Sequence, residues 1–192
     1  ELLYSIKEYV DYCFGIEINN DYCDFINREL GIDSSSEDYF NIQFEKPFDF
    51  VIINSTIDHM YNTLGVFKKI YDDLKPDGKL YIQTPNDEQA LAKYLPTKSS
   101  LAFKEFMYQK AHYISFSKLT LTRALIQSGF DIDSIFSRHD YSFKNFLHWY
   151  FLGKRQESIE ESKIERSFFK NSTEFEKEMN SLMDDVDKKF RK

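Results

Sequence analysis

The chain has 192 residues, 42% hydrophobic and 30% charged, a balance typical of a globular protein with a sizeable core. Its net charge of −7 argues against a general nucleic-acid or anionic-membrane binder, because both need a basic surface. Aromatic residues make up 17% of the chain, which argues against disorder and favours a well-filled core or an aromatic-lined pocket.

The two cysteines, Cys13 and Cys23, have neither a CxxC partner nor metal-ligand spacing. We interpret both as buried thiols of a protein in a reducing cytoplasm. No apolar run approaches the length of a membrane span, and the given sequence shows no signal-peptide pattern. The chain does not begin with Met and starts inside a predicted helix, so we expect further residues upstream.

The first third of the chain predicts two helices and two strands in alternation. Residues 1–9 have helical spacing, and residues 12–18, YCFGIEI, indicate a short buried strand that ends in the acid Glu17. Helical spacing returns over residues 21–30. A weak strand or loop follows over residues 32–36.

Residues 48–86 contain the clearest pattern of the chain, a strand, a helix and a second strand. The apolar run at 50–53 favours a strand buried on both faces of a parallel sheet. A turn at 75–78, KPDG, ends the helix, and residues 80–82 form the second strand. Ligands of such parallel sheets bind beyond the carboxyl ends of the strands. The residues predicted to share one helix face are Leu64, Phe67, Ile70, Tyr71 and Leu74.

Further helices and one more strand are predicted beyond this unit. Residues 88–109 look helical, with an interruption near Pro96. A helix over 117–128 has Ser117 as its expected N-cap, and residues 130–136 indicate another strand.

The end of the chain differs in composition from the part before it. Residues 145–152, NFLHWYFL, form the most aromatic stretch, which would serve as a pocket wall, a dimer face or the core of a cap. Charged and polar residues dominate after Gly153, and helical spacing returns over residues 173–190. We therefore place the boundary of the sheet domain near residue 140.

Four segments have the order and spacing of one family's motifs. They are FGIEIN at 14–19, FDFVI with STIDHM at 48–60, LKPDGKLYIQTPN at 74–86 and HYISFSKLTLTRALIQSGFDI at 112–132. These segments resemble the class I S-adenosylmethionine-dependent methyltransferases, and within them the small-molecule branch found among cell-surface sugar and natural-product pathways.

The resemblance implies an α/β, Rossmann-like methyltransferase fold, a mostly parallel sheet with helices on both faces. That domain would cover residues 1–140, and residues 141–192 would form a helical cap or C-terminal appendage. The family's glycine-rich loop is absent from the given chain, which starts where the helix after that loop would begin. We expect the loop among the upstream residues.

The resemblance also implies S-adenosylmethionine as the cofactor. A carboxylate at a strand end, such as that of Glu17, can accept hydrogen bonds from two ribose hydroxyls, although a solvent-facing acid would look the same in sequence. The polar turn after the strand predicted at 32–36 would meet the adenine, and the residues that follow the strand at 50–53 would meet the methionine or adenine part. The predicted cofactor-binding residues are Glu17, Ile18, Ser35, Ser36, Glu37, Asn54, Ser55, Thr56 and Ile57.

Two histidines are candidate catalytic residues. His59, which follows Asp58, and His112 could each act as a general base, because an imidazole accepts a proton near neutral pH. The alternative for each is a structural ring hydrogen-bonded to the backbone. No two histidines have metal-ligand spacing with a carboxylate, so no metal site is predicted.

The predicted function is methyl transfer from S-adenosylmethionine to a small-molecule acceptor, with a hydroxyl of a sugar or natural-product-like compound as the expected group. We expect a cytoplasmic protein without a nucleic-acid partner or membrane span. The sequence is compatible with both a monomer and a homodimer. One alternative is a non-catalytic methyltransferase-like binding or scaffold protein that has lost the cofactor, which the missing glycine-rich loop supports. A Rossmann oxidoreductase is the other, and the KPDG turn counts against it.

Overall fold

The computed structural model describes residues 2–108, 110–137 and 143–155. These residues form two compact units. The first contains the described residues up to 49 together with residues 72–78, and the second contains the remainder. The boundary proposed near residue 140 stays a prediction, and the helix predicted over 173–190 lies outside the described residues.

The first unit is built on two short parallel strands. Gly15 pairs with Ser34 at the middle of this ladder. Both strands are shorter than predicted, because only three residues of each find a backbone partner. The elements of this unit are α1 (Leu2–Ile6), a 3₁₀ helix (Lys7–Tyr9), β1 (Phe14–Ile16), α2 (Asn20–Arg28), β2 (Asp33–Ser35) and a 3₁₀ helix (Tyr39–Asn41).

Side-chain hydrogen bonds fix α2 against β2. The Asn19 side chain accepts the N–H groups of Asp21 and Tyr22, which caps the free amides at the start of α2. Within α2, the buried Cys23 places its Sγ 3.2 Å from the Ser34 Oγ. The prediction of a buried thiol is confirmed for Cys23, whereas Cys13 is only half-buried.

The strand–helix–strand motif predicted over residues 48–86 is present. β3 (Phe48–Asn54) and β4 (Leu74–Gln83) pair with each other, and α3 (Thr63–Asp73) connects them. Two details differ from the prediction. β3 is not buried on both faces, because Phe50 is 52% exposed. The predicted turn at 75–78 lies within the bounds of β4, so the chain passes from α3 directly into the strand.

The buried face of α3 is rotated relative to the predicted one. Leu64 and Tyr71, which we expected on that face, are both half exposed. Val66, which the pattern did not include, is buried. The buried residues of α3 are Thr63, Val66, Phe67 and Ile70.

Helices dominate the rest of the second unit. Leu91, Leu95 and Phe103 form one hydrophobic cluster of its core together with Trp149, which lies in the predicted aromatic stretch. The stretch thus contributes one face to the core, although Phe151 is 74% exposed. The helices are a 3₁₀ helix (Ile57–His59), α4 (Ala90–Tyr94), α5 (Thr97–Met107), α6 (Lys118–Gln127) and α7 (Phe143–Leu152).

The prediction of a strand over residues 130–136 is wrong, because the backbone there is irregular. The N–H of Phe130 donates to the carbonyl of Leu125, which closes the end of α6. The Phe130 ring packs edge-on against Tyr71, with ring centroids 5.3 Å apart. Phe130 therefore packs through its side chain, whereas Phe136 is 72% exposed, and no described strand pairs with the backbone of this stretch.

Candidate functional site

In the first unit, the parallel register brings two of the predicted cofactor segments side by side. Glu17 directly follows β1, and its N–H donates to the carbonyl of Ser35, at the end of β2, over 3.1 Å. The Glu17 Oε1 accepts the N–H of Asn19 at 2.9 Å, which holds the carboxylate at the strand end. The Ser35 Oγ accepts the N–H of Glu37 at 3.1 Å.

This group of polar atoms offers acceptors and donors of the kind that a nucleoside needs. A carboxylate at the carboxyl end of a parallel strand is suited to two neighbouring hydroxyls, and the adjacent turn offers hydroxyl and backbone groups to a base. Ile18 is 87% exposed and Ser36 is half-buried, so both are open to a ligand.

In the second unit, the predicted segment at the end of β3 makes a strained turn. Ser55 has a φ of 50°, a left-handed conformation that costs a non-glycine residue about 1–3 kcal/mol. The turn is held by the Ser55 N–H, which donates to Gln83 at 2.8 Å, and by the Thr56 hydroxyl, which donates to the Asn54 carbonyl at 3.0 Å. Ile57 is fully buried, so a role of this segment in ligand binding depends on the other residues.

Directly after this turn, Asp58 and both candidate histidines come together. The Nε2 atoms of His59 and His112 each lie 3.6 Å from the Asp58 Oδ2. The two imidazole rings meet edge to face, with centroids 4.8 Å apart. The side chain of Asp58 is only 3% exposed, that of His112 18% and that of His59 43%, so the cluster is closed on one side and open on the other.

Backbone carbonyls fix both histidine rings. The Nδ1 of His59 lies 3.0 Å from the carbonyl oxygen of Ala111, and the Nδ1 of His112 lies 3.1 Å from that of Met107. A carbonyl oxygen only accepts hydrogen bonds, so each Nδ1 carries the proton and each Nε2 faces the carboxylate. The N–H groups of Tyr113 and Ile114 donate to the Asp58 carbonyl, which ties the two segments together.

A small pocket opens beside this cluster. Asp58 and His112 line it together with residues that follow β4 and residues of α5, and it has room for about one water molecule. On its wall the Tyr108 hydroxyl donates a short hydrogen bond to the Asp87 carboxylate. That bond and partial burial raise the pKa of Tyr108 above its usual range.

The sequence did not point to several of these residues. Asp58 was named only as the neighbour of His59, yet its Oδ1 is buried without a hydrogen-bond partner among the described residues. A buried acid beside two histidines is a signal that only the fold reveals, because His112 lies far from both along the chain. Tyr108 and Asp87 carry no motif and were not predicted.

Comparisons with known proteins agree with this architecture. A family profile for a methyltransferase domain matches residues 7–135, which is more than half of the chain. The chain belongs to this methyltransferase domain family. The class I methyltransferase resemblance and the Rossmann-like α/β fold are therefore confirmed.

A solved structure also resembles this protein. It is a SAM-dependent methyltransferase from Archaeoglobus fulgidus, with a TM-score of 0.58 and 19% sequence identity. The match covers 96% of this chain and 73% of the other. At this level of identity the likeness concerns the fold. A comparison with curated proteins finds no match.

Among the described residues, none of the helices combines the length and the apolar character that a membrane crossing needs.

Proposed function

We propose that the protein transfers the methyl group of S-adenosylmethionine to a hydroxyl of a small-molecule acceptor. The acceptor would be a sugar or a natural-product-like compound. Membership of the methyltransferase domain family supports methyl transfer. The choice of a hydroxyl rests on one observation, the Asp58–His59–His112 cluster beside a pocket. A hydroxyl must lose its proton during methylation, and this cluster is the group best suited to help.

S-adenosylmethionine supplies a methyl group bonded to a positively charged sulfur. In this proposal Glu17 and Ile18 hold the ribose, and the turn of Ser35, Ser36 and Glu37 meets the adenine. Asn54, Ser55 and Thr56 are cofactor-binding residues on the strength of the family resemblance alone. Hydrogen bonds within each group hold it in place before the cofactor arrives, which lowers the entropic cost of binding.

The acceptor would enter from the side of the small pocket. Since the pocket has room for about one water molecule, flexible lining side chains such as Lys104 and Met107 would have to move aside. His59 is the more accessible of the two histidines, and His112 and Asp58 line the pocket wall. We propose that this cluster helps the hydroxyl to lose its proton.

Calorimetric titration of the full-length protein with S-adenosylmethionine tests the cofactor part of this proposal. We expect binding at one cofactor per chain, and we expect Glu17→Ala to weaken it sharply. Each hydrogen bond to a charged group contributes about 1.5–3 kcal/mol, so each lost bond costs roughly 10–100-fold in affinity. Glu29→Ala, an exposed acid at the other end of α2, serves as the matched control and should leave the affinity unchanged.

Two outcomes would contradict the proposal at different points. No binding to the full-length protein would favour the alternative, a methyltransferase-like scaffold without a cofactor. Unchanged affinity in a folded Glu17→Ala variant would remove Glu17 from the site while leaving the cofactor in place. A thermal unfolding curve of each variant shows whether it is folded.

A further inference from the structure

The Asp58–His59–His112 cluster places one buried carboxylate between two imidazole nitrogens. With both Nδ1 atoms committed to backbone carbonyls, a neutral imidazole presents only a lone pair at Nε2. When both rings are neutral, both lone pairs face the same carboxylate oxygen, 3.6 Å away on each side. Acceptors that face one another repel, so a positively charged species between them would be strongly favoured.

The burial of Asp58 points the same way. Its side chain is 3% exposed, and its Oδ1 has no hydrogen-bond partner in the part of the chain that the structure describes. A buried carboxylate costs several kcal/mol unless it is paired or coordinates a metal. Within the described residues, no lysine or arginine forms an ion pair with Asp58, although Lys104 lines the same pocket.

We propose that Asp58, His59 and His112 bind a divalent transition-metal ion, with Zn²⁺ as the expected occupant. Two imidazole nitrogens and one carboxylate oxygen form a set of ligands that zinc accepts in open, three-ligand sites. This proposal departs from the expectation of no metal site, which considered only spacing along the sequence and stays untested.

The geometry is close to that of a bound ion. The three ligand atoms lie within 4.8 Å of one another. Zinc bonds of about 2.0–2.1 Å place tetrahedral ligands about 3.4 Å apart, so binding would draw the group inward by roughly an ångström. His59, whose side chain is 43% exposed, has the freedom to make most of that movement.

The Nδ1 hydrogen bonds of the two rings are of the kind that hold histidine ligands in metal sites. Histidine ligands usually donate their second ring N–H to a carbonyl or carboxylate, which fixes the tautomer and the ring orientation. Both histidines make this bond here, to Ala111 and Met107. The ion would keep at least one open position, because the cluster borders the pocket and His59 faces solvent.

An open position gives the ion a role in the proposed reaction. An acceptor hydroxyl that becomes a ligand loses its proton to solvent more readily, as water does on zinc. In that case the histidines serve as ligands and not as free general bases. This role, unlike metal binding itself, rests on the proposed function.

The test is calorimetric titration of Zn²⁺ into the chelator-treated, tag-free full-length protein. We expect one ion per chain. Asp58→Asn and His59→Ala should each weaken binding by more than the roughly 10–100-fold that loss of a supporting hydrogen bond costs. His148→Gln, which removes a histidine outside the cluster, is the matched control and should bind as tightly as the wild type. Visible absorption of bound Co²⁺ should appear in the wild type and the control alone.

If the wild type does not bind Zn²⁺ stoichiometrically, the proposal is overturned. A proton held within the cluster would then be the charge that balances the Asp58 carboxylate. Unchanged affinity in Asp58→Asn would also overturn it. The His59 side chain is 43% exposed, so His59→Ala reports even if Asp58→Asn fails to fold. Titration of S-adenosylmethionine into the same wild-type sample separates the two proposals, because it can fail or succeed whatever the result with zinc.

Discussion

At the scale of single residues, Tyr39 shows how one side chain makes stability depend on pH. Its hydroxyl donates to the Asp73 Oδ2 at 2.5 Å. Burial, and then this hydrogen bond, raise the pKa of Tyr39 well above its ordinary value. The fold therefore favours the protonated phenol. The resulting stabilisation is fully present below the unfolded-state pKa of about 10 and is lost as the pH rises above it, because only the unfolded tyrosine then releases its proton readily.

Tyr39→Phe should remove this dependence. We expect the variant to be less stable by about 1 kcal/mol at pH 8, because one hydrogen bond is lost. Above pH 10 the wild type should lose stability more steeply than the variant, so the difference between them narrows. Urea unfolding at pH 8 and at pH 10.5 measures both effects. Tyr9→Phe is the control, since Tyr9 is 85% exposed, and parallel pH profiles for wild type and Tyr39→Phe would refute the assignment.

At the scale of elements, α6 depends on its first residue. The Ser117 Oγ accepts the N–H of Thr120 at 3.2 Å, and the Thr120 Oγ1 accepts the N–H of Ser117 at 2.9 Å. This reciprocal pair satisfies two amides that would otherwise lack a partner at the start of the helix. The N-cap predicted from the sequence is thus confirmed.

Ser117→Ala should lower the free energy of unfolding by about 1 kcal/mol, because the N–H of Thr120 loses the serine hydroxyl as its acceptor. Chemical denaturation monitored by circular dichroism measures the change. Gln127→Ala, an exposed position in the last turn of the same helix, should change stability by less than about 0.5 kcal/mol. Equal effects at the two ends would show that the cap does not stabilise α6.

Helices could be predicted better than strands because their signals are local. The apolar spacing of α3, the cap of α6 and the break before α5 all lie within a few residues of one another along the chain. A strand depends on a partner elsewhere in the fold, so residues 130–136 looked like a strand but found none among the described residues. The same limit explains why sequence spacing could not reveal the histidine cluster. Its rings are held by contacts such as that between His59 and Ala111, 52 positions apart.

At the scale of the whole molecule, the burial of Trp149 should contribute a large part of the free energy of unfolding. The Trp149 ring is 4% exposed and meets Phe103 edge-on at 5.1 Å and Phe106 at 5.5 Å. These contacts join α7 to α5, so they also hold the helix that lines the pocket. A typical protein has a free energy of unfolding of only about 5–15 kcal/mol, so the loss of one such ring removes a large fraction of it.

Trp149→Ala should therefore destabilise the protein by about 3–5 kcal/mol, through lost burial and the cavity left behind. Phe151→Ala changes an aromatic residue two positions away on the same helix, and its effect should stay within about 0.5 kcal/mol because Phe151 is 74% exposed. Urea denaturation of both variants measures the difference. If the aromatic stretch acted only as a docking face, Phe151→Ala would be the variant that loses association, and Trp149→Ala would leave stability unchanged. A large loss confined to Trp149→Ala assigns the buried side of α7 to the core and leaves its exposed side free for a partner.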